Sequence, residues 1–432
     1  MSPISTIAQL VVVISALIIL HEIGHYIGAR LFKFKVDEFG IGIPPQLLRY
    51  WRSKGKIQID GLEVIVPAGT KALKDLNPGD WVDVEIKQKE DGSYVLLNLE
   101  VPDPKLESLE PRREVKGDGI TQIRNSLSKV DLGMVFTLNW LPLGGFVKIR
   151  GEGDTSIPDG LAAANPWKRL VVYAFGPLMN LLVGVVLYTI IVSQVGVADP
   201  TQVQIMDISE NSPAESAGLK KGDLLLKVDG VEADSTTAVH NAIYDRLGSE
   251  IQVQFERDNQ IMSTVMVPRV DPPEGEGAIG ILMGHPVTKV SFIEAIPLGV
   301  YSTYQHSLAL ITLPAQVAKG VISPEEARPV GYKGMYDLYQ DVQDQELIPG
   351  APQSLNTIWF FTTITISLGI LNLLPIPALD GGRILFALPE IIFKRKIPIE
   401  VQNLVNFISF TILILLFFYI NYLDFVNPVQ IP

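Results

Sequence analysis

Four stretches of this chain are long and apolar enough to cross a lipid bilayer, and they restrict its fold more than any other feature. Residues 4–29, 170–195, 355–376 and 400–423 each supply about the twenty residues a helix needs, at 1.5 Å per residue, to span the hydrocarbon. Inside a bilayer no water is available to backbone N–H and C=O groups, so such stretches close their hydrogen bonds internally, as helices. The second contains no charged residue, and the first has none before His21 and Glu22. The first also lacks a basic leader and a small-residue cleavage site before His21, so it is expected to remain as a span rather than be removed as a signal peptide.

Lysine and arginine near the span ends set orientation, because cytoplasmic loops carry the excess of positive charge. Arg30, Lys33, Lys35, Arg49 and Arg52 follow the first span, Lys168 and Arg169 precede the second, and Lys394, Arg395 and Lys396 lie between the third and fourth. Residues 196–215 and 335–355, and everything after Lys396, carry neither. Both termini and the 196–354 segment are therefore expected outside, and 30–168 on the cytoplasmic side.

Composition narrows the function classes. With 35 Lys+Arg against 47 Asp+Glu in 432 residues, the net charge of −12 denies the basic footprint that nucleic-acid binding requires. A charged fraction of only 19%, where soluble chains carry about 25%, with a mean hydropathy of +0.27, argues against disorder and against an ordinary cytosolic enzyme. The chain has no cysteine, which excludes disulfides, thiol nucleophiles and thiolate zinc sites.

Two soluble pieces stand between the spans. Ser212 caps a short helix from Pro213 that ends at Gly218, Gly222-Asp223 turns into a strand over 224–228, and Asp229-Gly230 forms a hairpin-type turn. A helix near 235–247 and strands near 251–256 and 262–267 complete a small domain that resembles a PDZ domain. That resemblance implies either a peptide ligand added at a sheet edge or a steric cap without ligand. Residues 291–320, interrupted by Pro297, Gly299 and Pro314, read as an amphipathic helix at the outer membrane surface. The lone histidines His240, His285 and His306 read as surface or core residues. On the cytoplasmic side, 57–130 reads as a separate β-rich insert. Its strands at Trp81–Gln88 and near 94–101 are joined at Asp91-Gly92, and 102–118 reads as a linker or extended arm.

The chemistry lies at membrane depth. His21-Glu22-Ile23-Gly24-His25 puts two imidazoles one helical turn apart on one face, which suits a single tetrahedral Zn²⁺, with Glu22 beside that face as general base. The bland alternative is two polar residues at a span end satisfied by water or backbone. Against it, Tyr26 to Ala29 continue the apolar helix, and an ionisable group in a span costs about 2.5–3.5 kcal/mol on insertion scales, so it is functional by default. In the third span, Pro375 and Pro377 break the helix just before Asp380. Asp380 is then either a third metal ligand or a helix-end residue near Arg383 facing the cytoplasm.

Together the His21–His25 motif, the Leu371–Gly382 segment, the Gly-Pro-Leu-Met-Asn180 run, the 141–148 segment and the PDZ-like unit resemble the site-2 protease family of intramembrane zinc metalloproteases, the bacterial RseP type in particular. The resemblance implies zinc on His21, His25 and Asp380, with Glu22 as catalytic base. It also implies that Asn372 holds the substrate backbone, and that Gly144, Gly145, Phe146 and Val147 belong to a loop that dips into the membrane and pairs with extended substrate. Two features depart from the type: the 57–130 insert splits the hairpin between Phe39–Gly42 and the 141–148 segment, and one PDZ-like unit is visible where many relatives carry two.

The expectation is a polytopic α-helical membrane protein with four transmembrane helices, an extracytoplasmic PDZ domain and a cytoplasmic β-rich insert. The boundaries are 1–32 for the first span; 33–56 and 131–168 for a membrane-associated hairpin and loop; 57–130 for the insert; and 169–195 for the second span. They continue with 196–285 for the PDZ domain, 286–354 for the outer helix and linker, 355–382 for the third span and 397–423 for the fourth. The expected activity is cleavage of single-span proteins within the bilayer of a bacterial plasma membrane, for example anti-sigma factors or remnant signal peptides. The expected partners are transmembrane substrates, the lipid bilayer and a peptide on the PDZ domain, with no nucleic acid. The rivals are a catalytically inactive PDZ membrane adaptor, which would not need Glu22, and a zinc transporter. A transporter would want polar residues on several spans, whereas the fourth is nearly all apolar beyond Asn403 and Asn406.

Overall fold

The computed structural model describes residues 3–70, 76–102, 109–273, 275–344 and 352–428. It contains two compact units, Met1–Leu187 with Ser302–Pro432, and Tyr188–Tyr301.

In the first unit, helix α1 (Pro3–Leu31) leads into strand β1 (Val36–Arg52). Six strands follow: β2 (Gly55–Ile59), β3 (Leu62–Val66), β4 (Trp81–Gln88), β5 (Tyr94–Glu100), β6 (Arg112–Gly117) and β7 (Ile120–Asp131). The pairings β2–β3, β3–β5, β5–β4, β4–β7 and β7–β2 join five strands in a ring, with β6 added along β7. The cause is strict alternation. In β4, Val82, Val84 and Ile86 are fully buried, while the intervening Asp83 faces out and pairs with Arg124 across the ladder at 2.5 Å. Ile57, Ile59, Val64, Val66, Ile123 and Leu127 fill the same interior. Closing the ring leaves those strands without open edges. The expected linker at 102–118 is corrected in part: residues 112–117 are strand β6, folded against β7 through the two-residue turn Asp118-Gly119, both at positive φ (residues 103–108 lie outside the described residues).

Strand β8 (Val135–Ile149) returns alongside β1. Residues 36–41 pair on one side with 145–149 and on the other with 135–138, and 135–139 pairs in turn with 46–52. The 141–148 segment, expected as a loop, is thus mostly strand, and 145–149 forms a margin of the sheet. Ser15 of α1 donates to the Pro142 carbonyl at 2.8 Å. Toward the far end Leu48, Tyr50, Trp140 and Leu141 are exposed. Helix α2 (Pro166–Val195) follows, its first turn capped by Asn165, whose side chain accepts from Trp167 N–H at 3.0 Å.

The second unit holds β9 (Val197–Ala198), β10 (Val203–Ile208), α3 (Pro213–Ser216), β11 (Leu224–Val228), β12 (Val231–Glu232), α4 (Thr236–Tyr244), β13 (Ile251–Arg257), β14 (Gln260–Met266), β15 (Ile281–Gly284) and β16 (Val287–Thr288). Its main sheet runs β14-β13-β11-β10-β15, with β12 beside β11 and β9 paired to β16. Ser212 caps α3 by accepting from Glu215 N–H at 3.1 Å. The buried Asp223 carboxylate binds Arg257 at 2.6 Å.

Helix α5 (Phe292–Ala318) is continuous through Pro297, Gly299 and Pro314, where breaks were expected. Helix α6 (Tyr332–Asp344) lies where only linker was expected. Its buried Tyr339 packs against Phe360 and Phe361 of α7 (Gln353–Leu373). Then come α8 (Asp380–Phe393) and α9 (Ile399–Val426). Asp424 of α9, fully buried, accepts from Gly331 and Gly334 N–H at 2.8 and 3.0 Å and so caps α6 from a distant helix. Among the described residues four helices, α1, α2, α7 and α9, are long and apolar enough to span a membrane.

Candidate metal centre

Helices α1 and α2 meet through glycine. A Cβ on Gly24 would lie 2.3 Å from the Phe175 carbonyl oxygen, so only a bare α-carbon allows the approach. Opposite, a Cβ on Gly176 would lie 2.3 Å from His25 Nε2 and 2.8 Å from His21 Nε2. The contact also orients His25, whose Nδ1 lies 2.9 Å from the Val172 carbonyl oxygen. A carbonyl only accepts, so Nδ1 carries the proton and Nε2 keeps its lone pair.

The third side chain comes from the break between α7 and α8. Pro375 and Pro377 lack the N–H groups that would continue α7, Leu374 turns extended, and Asp380 opens the next helix. Its Oδ2 lies 3.0 Å from His21 Nε2 and 3.2 Å from His25 Nε2, and the two Nε2 atoms are 3.2 Å apart. All three residues are buried. Tetrahedral ligands at about 2.0–2.1 Å from one ion sit roughly 3.3 Å from each other, so this triangle fits a zinc-sized cation. Two neutral imidazoles and a carboxylate are a donor set for zinc. Of the two readings of Asp380, burial against both histidines disfavours the free helix end. Among the described residues no other His, Asp or Glu cluster of this kind occurs.

Glu22 lies beside the triangle, and its Oε2 accepts from Val147 N–H at 3.0 Å. That donor is on the margin of the sheet, so Glu22 occupies the strand edge that would take an added strand. Val147 and Asn372 both line a cavity of about 250 Å³ with Glu22 and the three donor residues. Gly144 and Gly145 instead lie against Ile18 and Ile19 of α1, and Phe146 covers Gly40 of β1; none of these three lines the cavity. Ile149, Glu152, Tyr173 and Arg383 border both this cavity and a polar one of about 640 Å³. There Glu152 and Arg383 form an ion pair, with the guanidinium 5.5 Å from the Tyr173 ring. Gly176, the Val172 carbonyl and the Glu152–Arg383 pair escaped the sequence reading. The Gly24-x-x-x-Gly28 spacing is the local sign that could have foretold a close helix contact.

The sequence pattern of Peptidase family M50 matches residues 9–67 and 124–416, most of the chain, and passes over 68–123 within the barrel. The chain belongs to Peptidase family M50. It is similar to the "Regulator of sigma-W protease RasP" of Bacillus subtilis (strain 168), at 26% identity over 98% of each chain. It is also similar to the "Zinc metalloprotease RasP" of Shouchella clausii, at 26% identity over 97% of this chain and 98% of that one. Among solved structures, a PDZ domain of an SdrC-like protein from Listeria monocytogenes matches 20% of this chain and 92% of its own, with TM-score 0.18 and 19% identity. As an M50 member with four span-length helices, the protein is an integral membrane zinc metalloprotease.

Proposed function

We propose that this M50 protein hydrolyses peptide bonds within the transmembrane segments of single-span membrane proteins. The observation that carries the reading is the convergence of His21, His25 and Asp380 next to Glu22 near the end of a span-length helix. His21, His25 and Asp380 would hold zinc, which would supply Lewis acidity for water and the scissile carbonyl. Glu22 takes the proton of the attacking water and passes it to the leaving amine. A transmembrane helix buries its peptide bonds, so the scissile segment must be unwound and held. The sheet margin at 145–149 takes it as an added strand, with Val147 N–H shared between Glu22 and the incoming backbone. The Asn372 side chain, which faces the same cavity, holds a substrate carbonyl.

Lysine and arginine placement favours the termini and the 196–285 domain outside a bacterial plasma membrane, with the barrel and the active-site mouth at the cytoplasmic side. The PDZ-like domain would turn away substrates with bulky outer domains or take a peptide. Anti-sigma factors fit the substrate class; the Bacillus relative's name ties that protein to sigma-W. An inactive adaptor would have no use for a carboxylate held beside three metal donors. Glu22→Gln should keep stoichiometric zinc and lower cleavage of a model single-span substrate by about two to four orders of magnitude. Cleavage at the wild-type rate would sink the assignment.

A further inference from the structure

We propose that Asn406 is a positioning residue, through which the fourth span holds the loop that sets the Asp380 carboxylate. The inference rests on the metal reading above and adds a residue to it.

The loop 374–379 must turn the chain out of α7 and deliver Asp380 at the start of α8, and two of its six residues are prolines with no N–H. Within it, Ile376 N–H reaches Leu374 O at 2.7 Å and Leu379 N–H reaches Ile376 O at 3.1 Å. Ala378, two residues before Asp380, sits at φ +76°, a left-handed conformation that a residue with a Cβ holds only when its surroundings impose it. Its N–H leaves the loop altogether and donates to Asn406 Oδ1 on α9 at 3.0 Å. If Asn406 were lost, water in the adjoining cavities could satisfy this half-buried donor but would not tie the loop to α9.

The contact gives a structural role to one of the few polar residues of the fourth span. None of the central residues of α9 is buried, so packing alone holds this helix weakly. Its polar attachments lie at two levels. Asn421 and Asp424 bind the 331–334 backbone, and about 22–27 Å away along the axis Asn406 binds the loop. The loop is thus fixed to a span that supplies no metal donor itself. Asp380 Oδ2 must stay 3.0–3.2 Å from both imidazoles, and a shift of about 1 Å in the residue two positions earlier is enough to lose that geometry.

The test compares Asn406→Leu, which removes the acceptor, with Asn406→Asp, which keeps an Oδ atom in the same place, in the full chain. Asn403→Leu is the control, since it removes a side-chain amide from the lining of the same 640 Å³ cavity. The measurements are zinc retention against a chelator, kcat and KM on a single-span substrate, and melting of the zinc-stripped protein. Asn406→Leu should hold zinc about 10–100-fold more weakly and lose kcat by at least about tenfold, with KM within about twofold. Asn406→Asp should restore both to within about threefold, Asn403→Leu should match wild type, and the zinc-stripped proteins should melt alike. Wild-type zinc retention by Asn406→Leu overturns the inference, as does equal impairment of the Leu and Asp variants. His21→Ala separates the two levels: if it loses zinc while Asn406→Leu keeps it, the metal reading stands and only the Asn406 role falls.

Discussion

The β-barrel of 55–131 and the metal centre occupy the same folded unit, yet opposite rules hold them together. The barrel interior is made of Val, Ile and Leu, each buried because every second residue of a strand points inward. Apolar side chains of similar volume can replace one another there at modest cost. The metal centre is polar, enclosed by apolar helices, and rests on single atoms: one carbonyl behind His25, one missing Cβ at Gly176, one amide oxygen under Ala378. The first kind of region degrades gradually under substitution. The second fails at one position.

Four substitutions probe that contrast. The sharpest is Gly176→Ala, which adds one methyl where His25 Nε2 would stand 2.3 Å away. Zinc affinity should fall by at least about 100-fold, with cleavage lost in parallel. A variant that still bound one equivalent tightly would show that α2 yields more readily than a helix backbone should. Ile86→Ala, fully buried in the barrel, should destabilise that region by about 2–5 kcal/mol while leaving zinc stoichiometry unchanged. Hydrogen exchange resolved along the chain would read both halves of that statement, and zinc loss would mean the two regions are not independent. Asp424→Asn keeps a cap for α6 but removes the charge beside Arg328 and the Gly331 and Gly334 N–H groups; a loss of about 1–3 kcal/mol is expected in thermal melts.

The smallest effect concerns Asp131, at the junction of barrel and sheet. Burial alone would raise its carboxyl, but Lys35 at 2.9 Å and the Gly133 N–H outweigh that and hold it below the ordinary carboxylate range. A depressed folded pKa means that the stabilisation is complete above the unfolded value of about 3.9 and fades as pH falls through the lower folded value. Because the pair is more than a third exposed, it is worth at most about 1 kcal/mol. Asp131→Asn should therefore lower the melting temperature slightly at pH 7 and by less near pH 2. An equal shift at both would assign the effect to something other than charge.

The position of the barrel adds a test of a different kind. Ser53 N–H donates to the Met134 carbonyl at 2.8 Å, so the chain enters and leaves the barrel at neighbouring points. Replacing 55–131 by a short linker should leave zinc binding intact. A changed substrate choice in that variant would support a gating role for the barrel, and an unchanged one would remove it.

How much could be read in advance follows from the range of the interactions. The i, i+4 histidines, the apolar runs and the alternation of β4 are patterns within a few residues, and local geometry translates them directly. Strand β6 departs from the linker expected at 102–118: that stretch is charged and proline-rich, and it becomes a strand only by pairing with β7 through the Asp118-Gly119 turn. Helix α6 was missed because its cap, Asp424, lies on another helix. The continuity of α5 through two prolines shows local propensity overridden in the folded chain.

By itself the sequence determined four apolar runs long enough to span a membrane, two histidines one helical turn apart with Glu22 beside them, and a chain without cysteine. Only the tertiary structure decided that Asp380, 359 residues from His21, closes the triangle. It also decided that β7 shuts the barrel, that Gly176 makes room for both imidazoles, and that Asn406 reaches the loop before the carboxylate. The physical reason is the same in each case. Spacing along a helix or strand is set by the backbone, whereas contacts between distant segments are set by which surfaces can approach, and a missing Cβ or one free acceptor leaves almost no trace in composition or period.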